Sequence, residues 1–184
     1  MIYAESKHAV TVRITGNNSE FQGAKKMIKI LFVCHGNICR SPMAEFILKD
    51  MVEKLGLADE FEIASAATST EEIWNGVGNP VYPPARQELA KHGIGCEGKR
   101  AVQLQKSDYD YYDYIIGMDT MNMRNMERMT GHKAGSKMRM LLEYSGDNRS
   151  VIDPWYSGKF DDTYDDLVKG CTAFLDYLRE NGQI

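Results

Sequence analysis

Little in this sequence suggests a metal centre, a disulfide scaffold, a membrane span or a nucleic-acid surface. Only four cysteines occur in 184 residues: Cys34, Cys39, Cys96 and Cys171. Two lie close together and two are scattered, which is not the pattern of a disulfide-stapled fold in a chain this long. There is no Cys-x2-Cys pair and no His-x3-His spacing. His8, His35, His92 and His132 stand isolated, so neither a metal nor another cofactor is expected. Free thiols in a reducing cytoplasm are the expectation instead. No stretch approaches the ~18–20 apolar residues of a membrane helix. A formal charge of −4 gives no general attraction for a nucleic-acid backbone, although a local basic pocket for an anion is compatible with it. Hydrophobic residues make up 43% and charged residues 26%, the balance of an ordinary soluble globular protein. The length suggests one domain.

Residues 1–26 differ from the rest of the chain. They are polar, lack the apolar core of a secretory signal, and end in a loose stretch from Gly16 to Gly23. His8 to Ile14 alternates weakly through Val10, Val12 and Ile14, as an edge strand would, but nothing later in the chain asks for that strand. Residues 1–26 are therefore expected to be a leader outside the fold, and residues 27–184 the folded domain.

From Ile28 onward strand and helix patterns alternate. Ile28 to Val33 is a nearly continuous apolar run, as suits a parallel strand buried on both faces. Ser41 and Pro42 open a helix, with Ser41 as N-cap and Pro42 at the first helical position, and Gly56 closes it. Phe61 to Ala66 reads as a second strand, Pro84 to His92 as a helix stopped by Gly93, and Tyr114 to Met118 as a third strand. Next come a Met-rich helix from about Asp119 to Thr130 and a fourth strand from Met138 to Leu142. The last helix is the clearest: Tyr164, Leu167, Val168, Cys171, Phe174, Leu175 and Leu178 share one apolar face. This alternation predicts an α/β fold, a single four-stranded parallel sheet with helices on both faces. In such folds ligands bind beyond the carboxyl ends of the strands.

The first strand runs directly into Cys34-His35-Gly36-Asn37-Ile38-Cys39-Arg40-Ser41 and then a helix. A loop this short must curl, and curling turns backbone N–H groups inward as an anion-binding nest. Gly36 and Asn37 are residue types that tolerate the left-handed backbone such a curl needs. The helix adds the positive end of its dipole, and Arg40 a forked, permanent charge that fits two phosphate oxygens. The same field favours Cys34 as a thiolate, an activated nucleophile facing a bound phosphate. A lone Cys-x5-Arg spacing is common by chance. Here it has a strand before it, a helix start after it, and glycine and asparagine within.

These residues carry a family resemblance. Val33 to Glu45, VCHGNICRSPMAE, resembles the signature of low-molecular-weight protein tyrosine phosphatases, and Ile152-Asp153-Pro154-Trp155-Tyr156 resembles that family's acid loop. Further matches are Ser65 to Ser69, His92-Gly93-Ile94 and Gly117-Met118-Asp119, so the likeness spans about Met27 to the C-terminus. It implies a flavodoxin-like phosphotyrosine phosphatase I fold, and a monomeric enzyme that hydrolyses aryl phosphates through a cysteinyl-phosphate. Its substrate would be a phosphotyrosine-bearing protein or a small aryl phosphate. By this resemblance Cys34 is the nucleophile, Arg40 the phosphate clamp and Asp153 the general acid. Ser41 donates to the thiolate, Asn37 pins the loop with Ser65 among its partners, and His35, Gly36, Ile38 and Cys39 complete the loop. Lys99 stands where many members place a histidine, which changes the network around Asn37. Trp155 and Tyr156 are expected to wall a slot for a flat aromatic substrate, with Trp74 as a further wall residue. Cys39 is close enough to Cys34 for a disulfide on oxidation and equally suits a small buried position; spacing does not separate the two.

Three other functions fit parts of the pattern. Thioredoxin-coupled arsenate reductases share the loop but relay a disulfide through two closely spaced cysteines, whereas Cys96 and Cys171 are far apart. Protein arginine phosphatases typically carry threonine where this chain has Ile38, and a small residue where it has the aromatic pair. A binding module that had lost its chemistry would lack the nucleophile or the acid.

Overall fold

The computed structural model describes residues 26–184. The expected leader, with its weak strand at His8 to Ile14, lies outside the described residues apart from Lys26. Strand β1 (Ile28–Cys34) pairs in parallel with β2 (Phe61–Ala67), Ile30 opposite Ile63, and on its other side with β5 (Tyr114–Gly117), Ile30 opposite Tyr114. Strand β6 (Met138–Met140) completes the four-stranded sheet in the order β2-β1-β5-β6. β1 lies in the interior of the sheet, so its side chains alternate between two buried layers. Ile30 and Phe32 enter the larger core, with Met43 and Ile47 of α1 (Arg40–Lys54) and Phe174 and Leu178 of α6 (Phe160–Glu180). Leu31 and Val33 enter the other layer, with Ile115, Met138 and Met126 of α4 (Thr120–Thr130). The doubly covered parallel sheet matches the expectation.

Five local features differ from the sequence reading. Helix α1 begins at Arg40, two residues earlier than expected, and Cys39 occupies its cap position with no side-chain capping bond. Ser41 is therefore not the N-cap; inside the helix's first turn, its hydroxyl is turned toward Cys34. The fourth strand stops at Met140, and Leu141–Ser145 forms a 3-10 turn that returns the chain toward α6. The third strand stops at Gly117, one residue short of the expected Met118, and Asp119, still extended, caps α4 by accepting a hydrogen bond from Asn122 N. Finally, β3 (Ile73–Trp74) and β4 (Val77–Gly78) make a hairpin between β2 and α2 (Pro83–Lys91). Asn75 and Gly76 both have positive φ, 49° and 78°, the geometry that a two-residue hairpin loop demands. The short helices α3 (Asp108–Tyr111) and α5 (Pro154–Ser157) also lie outside the sequence expectation. No described helix is long and apolar enough to cross a membrane.

Candidate active site

The loop of residues 35–39 closes over the carboxyl end of β1, where Cys34 is only 3% exposed. Four loop carbonyls are held from outside: Cys34 O by Thr68 N (2.9 Å), His35 O by Ser69 N (3.0 Å), Ile38 O by Tyr82 N (2.9 Å) and Cys39 O by Met43 N (3.0 Å). A trans peptide points its N–H opposite to its C=O. The amides of His35, Gly36, Cys39 and Arg40 are thus turned toward the concave side. Asn37 makes the sharpest bend, with φ of 58°.

Asn37 is also the buried hub of the loop. Its Nδ2 donates to Ser41 Oγ (2.9 Å) and Ser65 Oγ (2.8 Å), and its Oδ1 accepts from Val102 N (3.1 Å). Ser41 Oγ accepts from Asn37, and its own proton has two acceptors, Cys34 Sγ at 3.0 Å and Ala66 O at 3.4 Å, of which the sulfur is nearer; Asn37 N donates to the same sulfur at 3.3 Å. The network continues outward. Ser65 Oγ donates to Glu45 Oε2 (2.6 Å), and Lys99 Nζ reaches that oxygen at 3.0 Å and Ser65 O at 2.9 Å. Lys99 thus joins the support of the loop through a carboxylate buried beneath it.

Arg40 is 4% exposed and lies between two carboxylates. Its Nη1 donates to Asp119 Oδ2 at 2.7 Å, and its Nη2 is 2.6 Å from Asp153 Oδ2. Burial opposes the guanidinium charge, but the Cys34 sulfur, Asp153 and Asp119 outweigh it and raise the pKa above its usual value. Both carboxylates divide their oxygens in the same way: Asp119 Oδ1 caps α4, and Asp153 Oδ1 caps α5 by accepting from Trp155 N at 3.0 Å. Helix ends therefore fix the two groups that aim Arg40. Burial, then the neighbouring Cys34 and Asp153, push the Cys39 thiol up to about 12.

Cys34, Arg40 and Asp153 share a cavity of about 190 Å³ with His35, Gly36, Ile38 and Cys39. Trp155 and Tyr156 line its mouth; Tyr156 is 87% exposed, and Trp155 leans on Tyr82 with ring centroids 5.4 Å apart. Trp74 is not part of this wall. In the hairpin Ile73 faces inward onto Ile38, Cys39 and Ala101, so its neighbour Trp74 points outward and is 68% exposed. Glu71 and Glu72 line the cavity instead, and Glu71 Oε2 lies 2.9 Å from His35 Nε2. A larger concavity of about 580 Å³, between Lys26, Asp113, Lys137 and Gln183, lies at the strands' amino ends and has no cysteine or arginine in its lining. Among the described residues all four cysteines are free, and no three His, Cys, Asp or Glu side chains cluster as a metal site.

A thiol at the end of β1, with a guanidinium and a carboxylate beside it beyond the ends of parallel strands, defines a class: α/β proteins with a Cys-x5-Arg loop between the first strand and the first helix. The chain belongs to the low molecular weight phosphotyrosine protein phosphatase family, whose model matches residues 29–184. It is 38% identical over 160 residues to the low molecular weight protein-tyrosine-phosphatase YfkJ of Bacillus subtilis, covering 86% of this chain and 100% of that protein. The Schizosaccharomyces pombe low molecular weight phosphotyrosine protein phosphatase is 41% identical over 155 residues, 82% of this chain and 96% of the relative. The crystal structure of YfkJ superposes with a TM-score of 0.80 at 37% identity, covering 86% of this chain and 99% of that one. DARP, a Drosophila arginine phosphatase, superposes with a TM-score of 0.72 at 32% identity, covering 82% and 97%.

Proposed function

We propose that this protein is a phosphatase of aryl phosphate monoesters, phosphotyrosine in proteins among them, working through a cysteinyl-phosphate on Cys34. The observation that carries the proposal is the convergence of Ser41 Oγ on the Cys34 sulfur and of Arg40 on Asp153 within one small cavity. The inward amides and Arg40 bind the phosphate oxygens. Ser41 and the Asn37 amide stabilise the sulfur as a thiolate. The thiolate attacks phosphorus; the P–S bond forms as the P–O bond to the phenol breaks, and Asp153 delivers its proton to the departing oxygen. Phosphate competes with Asp153 for Arg40, whose Nη2 is the carboxylate's partner. Asp153 then takes a proton from the water that attacks phosphorus, inorganic phosphate leaves, and the thiolate returns. Every group in this cycle is a protein side chain, a backbone amide or water.

Trp155 and Tyr156 favour a flat aromatic leaving group at the mouth. One observation favours a second substrate class: Glu71 and Glu72 on the opposite wall would attract the guanidinium of phosphoarginine. Turnover of matched phosphotyrosine, phosphoserine and phosphoarginine peptides decides. Phosphotyrosine leading by tenfold or more in kcat/KM supports the aryl reading, and phosphoarginine leading overturns it. Residues 27–184 form the proposed catalytic unit, with residues 1–26 outside it. We read the enzyme as a cytoplasmic monomer with no nucleic-acid or membrane partner, in keeping with its free thiols and its charge of −4.

A further inference from the structure

Asp153 can deliver a proton only if its backbone is held in place, and that backbone arrives through irregular chain from Asp147 to Ile152. Such chain must find partners for its amide groups outside a ladder. Here α6 supplies them. Ile152 N donates to Asp166 Oδ2 at 3.0 Å, and Thr163 Oγ1 lies 3.0 Å from Ile152 O, the nearer of its two acceptors, with Lys159 O at 3.1 Å. Both main-chain groups of the residue before Asp153 are therefore engaged by side chains three positions apart on one helix face. Thr163 is fully buried and Asp166 is 6% exposed.

Asp166 is itself aimed. Arg149 grips it with both guanidinium nitrogens, Nη1 to Oδ2 at 2.7 Å and Nη2 to Oδ1. Arg149 comes from the same irregular segment, and its Nε lies 3.0 Å from Asp147 Oδ2, which Lys169 Nζ of α6 also contacts at 3.0 Å. One buried carboxylate thus ties the segment to α6 at two points, Arg149 and Ile152, while Val151 N is held by Met118 O at the end of β5 (2.9 Å). The Arg149 side chain is 45% exposed, and an ion pair open to water on one side is a weak source of net stability. What this pair supplies is direction.

We propose that Asp166, supported by Thr163 and Arg149, is a positioning residue that sets Asp153 against the leaving-group oxygen. It touches neither substrate nor phosphate, and it acts through the Ile152 peptide. The inference rests on reading Asp153 as the proton donor. A donor displaced by about 1 Å loses on the order of a hundredfold in rate, and only where proton delivery matters.

The test compares kcat/KM for phenyl phosphate, whose leaving phenol has a pKa near ~10, with that for a nitrophenyl phosphate whose phenolate departs readily. The variants are Asp166→Asn, Thr163→Val, Asp153→Ala and the double variant Asp153→Ala with Asp166→Asn. Asp166→Asn should lose about tenfold or more on phenyl phosphate and no more than about threefold on the nitrophenyl ester. Its inhibition constant for inorganic phosphate should be unchanged. Added to Asp153→Ala, it should cause no further leaving-group-dependent loss. Equal losses on the two substrates, or the same selective loss in both backgrounds, overturn the proposal. If Asp166→Asn does not fold, Thr163→Val, which removes one hydrogen-bonding group, carries the same expectation at smaller size, and equal losses there overturn it. If Asp153→Ala itself shows no leaving-group dependence, the acid assignment has failed. If it does and Asp166→Asn does not, the positioning role alone has failed.

Discussion

Asp119 performs two tasks with two oxygens, and substitution can separate them. Oδ1 caps α4 through Asn122 N at 2.6 Å, while Oδ2 holds Arg40 Nη1 at 2.7 Å. Asparagine caps a helix about as well as aspartate, so Asp119→Asn keeps the first task and removes the charge from the second. Asp119→Ala loses both. The cap is worth about 1 kcal/mol. At roughly 2–4 °C per kcal/mol for a chain of this size, the alanine variant should melt about 2–4 °C below the asparagine variant. The loss in activity should be common to both. Without its Asp119 partner Arg40 is held only by Asp153, and its fork no longer meets the phosphate at a fixed angle. A hydrogen bond to a charged group contributes about 1.5–3 kcal/mol, so kcat/KM should fall roughly 10- to 100-fold in each variant. Melting curves and steady-state kinetics on the two proteins give both numbers. An asparagine variant with undiminished kcat/KM would refute the idea that Asp119 aims Arg40. Equal melting temperatures would refute the capping half.

The same geometry sets three further outcomes. Iodoacetate at neutral pH should alkylate Cys34 and spare Cys39, whose thiol burial pushes up to about 12, and excess inorganic phosphate should protect Cys34; peptide mapping reads both. Burial alone would raise the Asp166 carboxyl, but the Arg149 fork and the Ile152 amide outweigh it and hold it below its usual value. Its contribution to stability is therefore complete above pH ~3.9 and lost as pH falls through the lowered folded value. The gap in melting temperature between wild type and Asp166→Asn should stay constant from pH 7 to about 5 and narrow below about 4; a gap that widens in acid contradicts this. A chain beginning at Met27 should keep full turnover. It gives up the pair between exposed Lys26 and Asp113 (2.7 Å), worth no more than about 1 kcal/mol, so its melting temperature should fall by only a few degrees.

The sheet and the Cys34 loop are legible in the sequence because their signals are local. An apolar run names a buried strand, and Cys34, Gly36, Asn37 and Arg40 sit within seven residues. Ser41 shows where locality misleads: before a proline it reads as a cap, but the tighter curl at Asn37 starts the helix two residues earlier and turns the hydroxyl to sulfur. The hairpin is written plainly as Asn75-Gly76, yet strands of two residues have no alternation to read, and nothing in the sequence tells that Trp74 faces away from the cavity. Asp119, Glu45, Glu71 and Asp166 escape sequence reasoning for a different reason. Their partners lie far away in the sequence, as Arg40 does from Asp119, so only the packed sheet and helices bring them together.

Every step of the proposed cycle depends on phosphate passing through a covalent bond to one sulfur. Acid quenching of the enzyme during turnover of an aryl phosphate, with peptide mapping of the product in a mass spectrometer, tests this directly. The expected result is a phosphoryl group on Cys34, absent from Cys34→Ser. A phosphoryl group on any other residue would contradict it.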